Sequence, residues 1–127
     1  MKHLFSFIFT MMILTNGIVA QQQQQAQIIK PSMPLSEIAF SIQLLESIEL
    51  MGSEVDALMD LRLILIPPIV KANNEKKQAN EVVTLEFKIQ QAQNLLAFLK
   101  RAKLNGADVE RFKKITDIII SSAQPKK

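Results

Sequence analysis

Pro67 and Pro68 stand side by side inside residues 63–70 (LILIPPIV), the most apolar run beyond the N-terminal segment. Proline has no N–H to donate, and its ring clashes with the carbonyl four residues back. The pair therefore predicts a helix ending at Ile66 and a second helix that takes Pro68 into its first turn. A boundary at that point divides the 127-residue chain into two arms. As helices, residues 36–66 and 74–104 would each be about 46 Å long. Equal arms joined by a short corner predict an antiparallel helical hairpin.

Each arm carries helical spacing. In the first, Ser36 is placed to cap a helix bearing Ile38, Ile42 and Leu45, with Leu44, Ile48 and Met51 widening the face. Gly52 can end or kink this arm, and Ser53-Glu54-Val55-Asp56 matches the start of another helix. Val55, Leu58, Met59 and Leu65 are then expected to face inward. In the second arm, Val82, Leu85, Ile89, Ala92, Leu96 and Leu99 fall at gaps of 3, 4, 3, 4 and 3, a heptad seam. Asn105-Gly106 predicts a stop, and Asp108 opens a last helix with Val109, Phe112, Ile115 or Thr116, and Ile119 inward. It can reach Leu95 and Phe98, which widen the seam towards a globular bundle and away from a bare coiled coil. The expected fold is all-α: a hairpin with a kinked first arm and a long second arm, plus a short C-terminal helix, in a three- to four-helix bundle.

The chain has no Cys, Trp or Tyr, and its one histidine is His3. Met1-Lys2-His3, eleven uncharged and mostly apolar residues at 4–14, and a stretch ending at Ala20 predict a secretory signal over residues 1–20. An uncleaved anchor is the alternative. Residues 21–34, beginning QQQQQAQ, predict a disordered leader. Residues 35–120 then form the helical domain and 121–127 a frayed tail. Without residues 1–20 the chain has no His, which excludes Cys/His metal sites, thiol nucleophiles and histidine triads. It must also hold its fold by burial alone in a compartment where disulfides are available.

The net charge of +3 conceals an asymmetry. Residues 35–61 carry six acidic side chains and no basic one; residues 62–127 carry thirteen basic and six acidic. The small net charge argues against a nucleic-acid partner, and two arms of opposite sign can neutralise each other. Lys100, Arg101, Lys103, Arg111, Lys113 and Lys114 gather near the last inter-helix turn. They either complement a helix C-terminus or form a patch for anionic lipid, polyanion or an acidic protein face. Val83 and Phe87, at i and i+4 on the second arm's flank, are expected either to lie under the leader or a shifted helix, or to offer an aromatic contact to a protein partner.

Glu46/Glu49 and Asp56/Asp60 share helix faces, as carboxylates of solvated helices commonly do, and no nucleotide, metal or hydrolase motif accompanies them. Met33, Met51 and Met59 are expected as core filler. The expectation is a non-enzyme with no cofactor and no metal. It would be an exported helical protein acting through protein–protein contacts, for example an accessory or adaptor subunit of an envelope or secretion assembly. A periplasmic chaperone-like or anionic membrane-surface binder is the alternative, and self-association is left open.

Overall fold

A computed structural model describes residues 27–124, so the signal segment, the glutamine run up to residue 26 and the last three residues lie outside the described residues. Four helices dominate: α1 (Leu35–Ser47), α2 (Val55–Asn74), α3 (Ile89–Leu99) and α4 (Val109–Ala123). Strands β1 (Ile28–Ile29) and β2 (Ser32–Pro34) precede them, and β3 (Val82–Thr84) and β4 (Phe87–Lys88) separate α2 from α3. The protein is mostly helical but not all-α.

The strands form a single antiparallel ribbon. Ile28 lies opposite Lys88, Ile29 opposite Phe87, Ser32 opposite Thr84, Met33 opposite Val83 and Pro34 opposite Val82. The register is the same in both halves, and the Leu85 N–H donates to the Pro31 carbonyl across the gap at 2.9 Å. Pro31 cannot return that bond, which divides the ribbon into two short pieces. Side chains alternate strictly, as a half-buried strand requires. Ile29, Pro31, Met33, Leu85 and Phe87 point into the core, while Ile28, Lys30, Ser32, Val82, Thr84, Glu86 and Lys88 face water. Outward neighbours also pair, with Ser32 and Thr84 hydroxyls 2.7 Å apart and Lys30 3.7 Å from Glu86.

This ribbon overturns two expectations. Residues 28–34 of the leader are not disordered; they are one of its strands. The seam begins too early, because Val82 and Leu85 lie in the ribbon and the helix starts only at Ile89. Residues 82–88 (VVTLEFK) satisfy period 2 as well as the heptad, and period 2 alone buries Phe87. Val82, Val83 and Thr84 are β-branched, which favours the strand. The eleven residues of α3 are about a heptad and a half, too short for a coiled coil.

The first arm is also divided differently. α1 ends at Ser47, where Ile48 turns extended, five residues before Gly52. Its N-terminus is satisfied by loop backbone and not by the Ser36 side chain. The Leu35 N–H donates to Glu81 O and the Ser36 N–H to Ala79 O, both at 2.9 Å. α1 and α2 pack on one another, and both touch α3. α4 lies against α1, α3 and β2, so the C-terminal helix meets the N-terminal strand. It runs to Ala123, which takes the first residues of the expected tail into the helix.

The prolines do not break α2, which continues from Val55 to Asn74 with both inside. An interior proline costs about 3 kcal/mol or more in an isolated helix. Here Leu61, Leu65 and Ala72 stay buried on one continuous face across the pair, and that packing outweighs the lost bonds. The turn comes later. The Lys77 N–H reaches Ala72 O at 2.9 Å and the Lys76 N–H reaches Asn73 O at 3.3 Å, the paired bonds of a Schellman stop. That motif sets Lys76 at a φ of 55°, the sole non-glycine in the left-handed region among the described residues. Glycine is unstrained there. Lys76→Gly is therefore expected to stabilise the protein by about 1 kcal/mol, read as a raised midpoint of urea unfolding at unchanged m-value.

Candidate interaction surface

α2 is apolar on two faces, one turned to the core and one to solvent. Leu61, Leu65 and Ala72 occupy the core side, with Leu58 and Ile69 half-buried beside them. At 100° per residue, Val55, Met59, Leu63, Ile66 and Val70 fall within an arc of about 80° on the far side. Leu63 is 73% exposed, Met59 52%, Val70 51% and Val55 46%, with Ile66 half-buried between them. The stripe runs over sixteen residues, from Val55 to Val70, about 22 Å of helix. Asp56, Asp60 and Lys71 border one flank and Arg62 the other.

The expected inward face of α2 was therefore misplaced. Val55 and Met59 face solvent, while Leu65 is buried. Met59 and Met51 are not core filler; Met33, inside the ribbon, is. Residues 63–70 do not form the expected corner, because the helix continues through them. A groove of about 470 Å³ opens beside the stripe, floored by Pro67, Pro68, Leu35 and Val83 and rimmed by Lys71, Glu75, Lys77 and Glu81. Lys77 bonds to Glu81 at 2.9 Å and lies 3.4 Å from Glu75, so much of that rim is already paired.

Phe87 is fully buried opposite Ile29 and offers nothing to a partner. The ribbon turns its ring into the core, and the leader strand covers it. Val83 is half-buried on the same inward side of the ribbon, lining the groove.

The six basic residues do not form one free patch. Arg101 makes a two-pronged contact with Glu54, its Nη1 2.8 Å from Oε1. Arg111 crosses from α4 to α1, where Nη2 donates to Ser36 O at 3.1 Å and to Glu37 Oε1 at 3.3 Å. Its guanidinium lies 4.2 Å from the Phe40 ring centroid, a favourable cation–π distance. Glu37 is buried, so this contact satisfies a charge that would otherwise be costly. Lys113 pairs with Asp117 one turn along α4 at 2.7 Å. Lys100, Lys103 and Lys114 are exposed and make no ion pair among the described residues.

Glu54 and Arg101 join the start of α2 to the end of α3. The hydrogen bonds from Arg101, then the Met51 N–H at 3.0 Å, hold the Glu54 carboxyl at a pKa of about 2, below its usual 4.5. Among the described residues no group of three or more metal-ligating side chains gathers, and no helix is long and apolar enough to cross a membrane. Comparison with family models, curated proteins and solved structures finds no match.

The lowered Glu54 value has a definite sign. Above about pH 4.5 the carboxylate is ionised in folded and unfolded chains alike, and its contribution is complete. As pH falls towards 2 the unfolded chain takes up the proton first, and that contribution is lost. Stability measured by urea unfolding should therefore fall less steeply between pH 5 and 2 in Glu54→Gln than in the native chain. Parallel curves would contradict the assignment.

Proposed function

We propose that this chain is an exported helical protein that works by contact with a protein face. In this reading it is an accessory or adaptor subunit of an envelope or secretion assembly and not an enzyme. Four helices, bundled and closed by the ribbon, are its frame, and the far face of α2 is its contact surface. The observation that carries the reading is the second apolar face of α2. A helix apolar over so wide an arc is ordinarily buried across it, and among the described residues only one side is covered. Apolar rows rimmed by polar groups mark interaction sites, and Asp56, Asp60, Lys71 and Arg62 supply that rim. Export rests on the basic-apolar-small pattern of residues 1–20.

Magnitudes set the strength of such a contact. Covering what remains exposed of Val55, Met59, Leu63 and Val70 yields roughly 1 kcal/mol each. Association costs at least about 4 kcal/mol, so the stripe alone gives a weak contact and its partner must add apolar surface of its own. The basic residues add little, since three of the six already have partners.

Leu63→Lys tests this reading without disturbing the fold, because lysine and leucine have similar helix propensity and surface changes of this kind usually stay within about 0.5 kcal/mol. A photoreactive residue at Met59, introduced in the cell of origin, should give a discrete crosslinked protein product. Leu63→Lys should abolish that product at an unchanged urea midpoint. A product that survives Leu63→Lys, or one no stronger than from exposed Gln93 on α3, would overturn the proposal.

A further inference from the structure

We infer that the occupant of the α2 stripe is a second copy of this chain, docked antiparallel about a two-fold axis near Leu63. The inference rests on the contact reading above and goes further by naming the partner. Its ground is a symmetry in the stripe. Val55 and Val70 lie equally far from a point between Arg62 and Leu63, as do Met59 and Ile66. When two such helices run antiparallel with that point on the axis, Val55 meets the second copy's Val70 and Met59 meets its Ile66. The two Leu63 side chains, the most exposed of the row, meet each other at the centre. Every apolar residue of the row then finds an apolar residue opposite. Such a self-complementary patch is what an isologous interface requires.

The charges agree with the same arrangement. Asp56 and Lys71 lie on one flank of the stripe, near opposite ends of α2, and neither makes an ion pair among the described residues. A two-fold perpendicular to the helices places like flanks side by side, which brings Asp56 of each copy next to Lys71 of the other. The same two-fold brings the two Arg62 side chains near each other on the other flank, whereas a parallel two-fold would set each Asp56 beside the flank that carries Arg62 and form neither Asp56–Lys71 contact. Two Asp56–Lys71 contacts against one Arg62 pair leave charge on the side of the antiparallel orientation that the apolar spacing already favours.

The absence of native cysteine makes this directly testable, since any introduced thiol is the sole one. Packed helix axes lie about 8–10 Å apart and Cα atoms about 2.3 Å off each axis. Facing Cα atoms at the two-fold are then within the reach of a disulfide, about 4.4–6.8 Å. Three single variants would be purified, Leu63→Cys, Val55→Cys and Val70→Cys, with each N-terminus defined by intact mass, and each oxidised under mild conditions. Leu63→Cys should form a disulfide dimer at least tenfold faster than Val55→Cys or Val70→Cys alone. An equal mixture of Val55→Cys and Val70→Cys should crosslink as fast as Leu63→Cys. Sedimentation equilibrium of the native chain should show a dimer whose population rises with concentration and is lost in Leu63→Lys.

Equal rates for all three single variants, or a native chain that stays monomeric throughout, would overturn the self-pairing. If the Met59 crosslink in cells persists and remains sensitive to Leu63→Lys, the contact reading stands with a different protein as occupant. If that crosslink is also absent, both readings fall.

Discussion

The pairing of residues 28–34 with residues 82–88 holds the rest of the structure together. The chain has no disulfide to close it, and its helices are too short to be stable alone. The ribbon joins the segment before α1 to the segment before α3 and buries Phe87, Met33, Ile29 and Leu85 in the helical core. At its end, the Leu35 and Ser36 N–H groups find carbonyls at Glu81 and Ala79, so the start of α1 is capped by the chain that follows α2. A one-residue slip would turn Phe87 and Met33 to water and disconnect that cap.

Electrostatics contributes specificity on top of this frame. The acidic first half and the basic second half meet at two points, Glu37 with Arg111 and Glu54 with Arg101. One orients α4 on α1 and the other fixes the ends of α2 and α3. These contacts consume cations that a reading of net charge along the chain leaves available for lipid or polyanion. What remains unsatisfied is apolar: the row along the solvent-facing side of α2. The most distinctive feature of this small protein's surface is thus one exposed apolar helix face.

Much of the helical content was legible in the sequence, and the reasons for the errors are local. Ile115 and Ile119 are buried as their spacing implied, as are Leu95 and Phe98. The second arm misled because Leu85 fits both a heptad and an alternating strand. Only the existence of a matching strand at residues 28–34 decides between them, and a long-range pairing leaves no mark in a local window. The glutamine run made that leader look featureless, although Ile29, Pro31 and Met33 alternate with Lys30 and Ser32. In α2, the proline rule overruled a periodicity that continues to Ala72. Stopping at Ile66 hid the second register of Leu61, Leu65 and Ala72, and with it the solvent-facing row. The basic cluster was correctly located in sequence, but its partners at Glu37 and Glu54 are tertiary and lie far away along the chain.

The leader strand is packed in the core, and the outer face of α2 is inferred to pair with a second copy of this chain. The three described methionines report on both parts at once. Met33 is 1% exposed inside the ribbon, Met51 is 71% exposed ahead of α2, and Met59 is 52% exposed on the stripe. Their methyl resonances would be followed with a soluble paramagnetic agent, from on the order of 10 μM to 1 mM protein, a range that brackets a weak association. Met33 should be protected and Met51 strongly broadened at every concentration, with Met59 broadened when dilute and protected when concentrated. A Met33 broadened like Met51, or a Met59 indifferent to concentration, would contradict it.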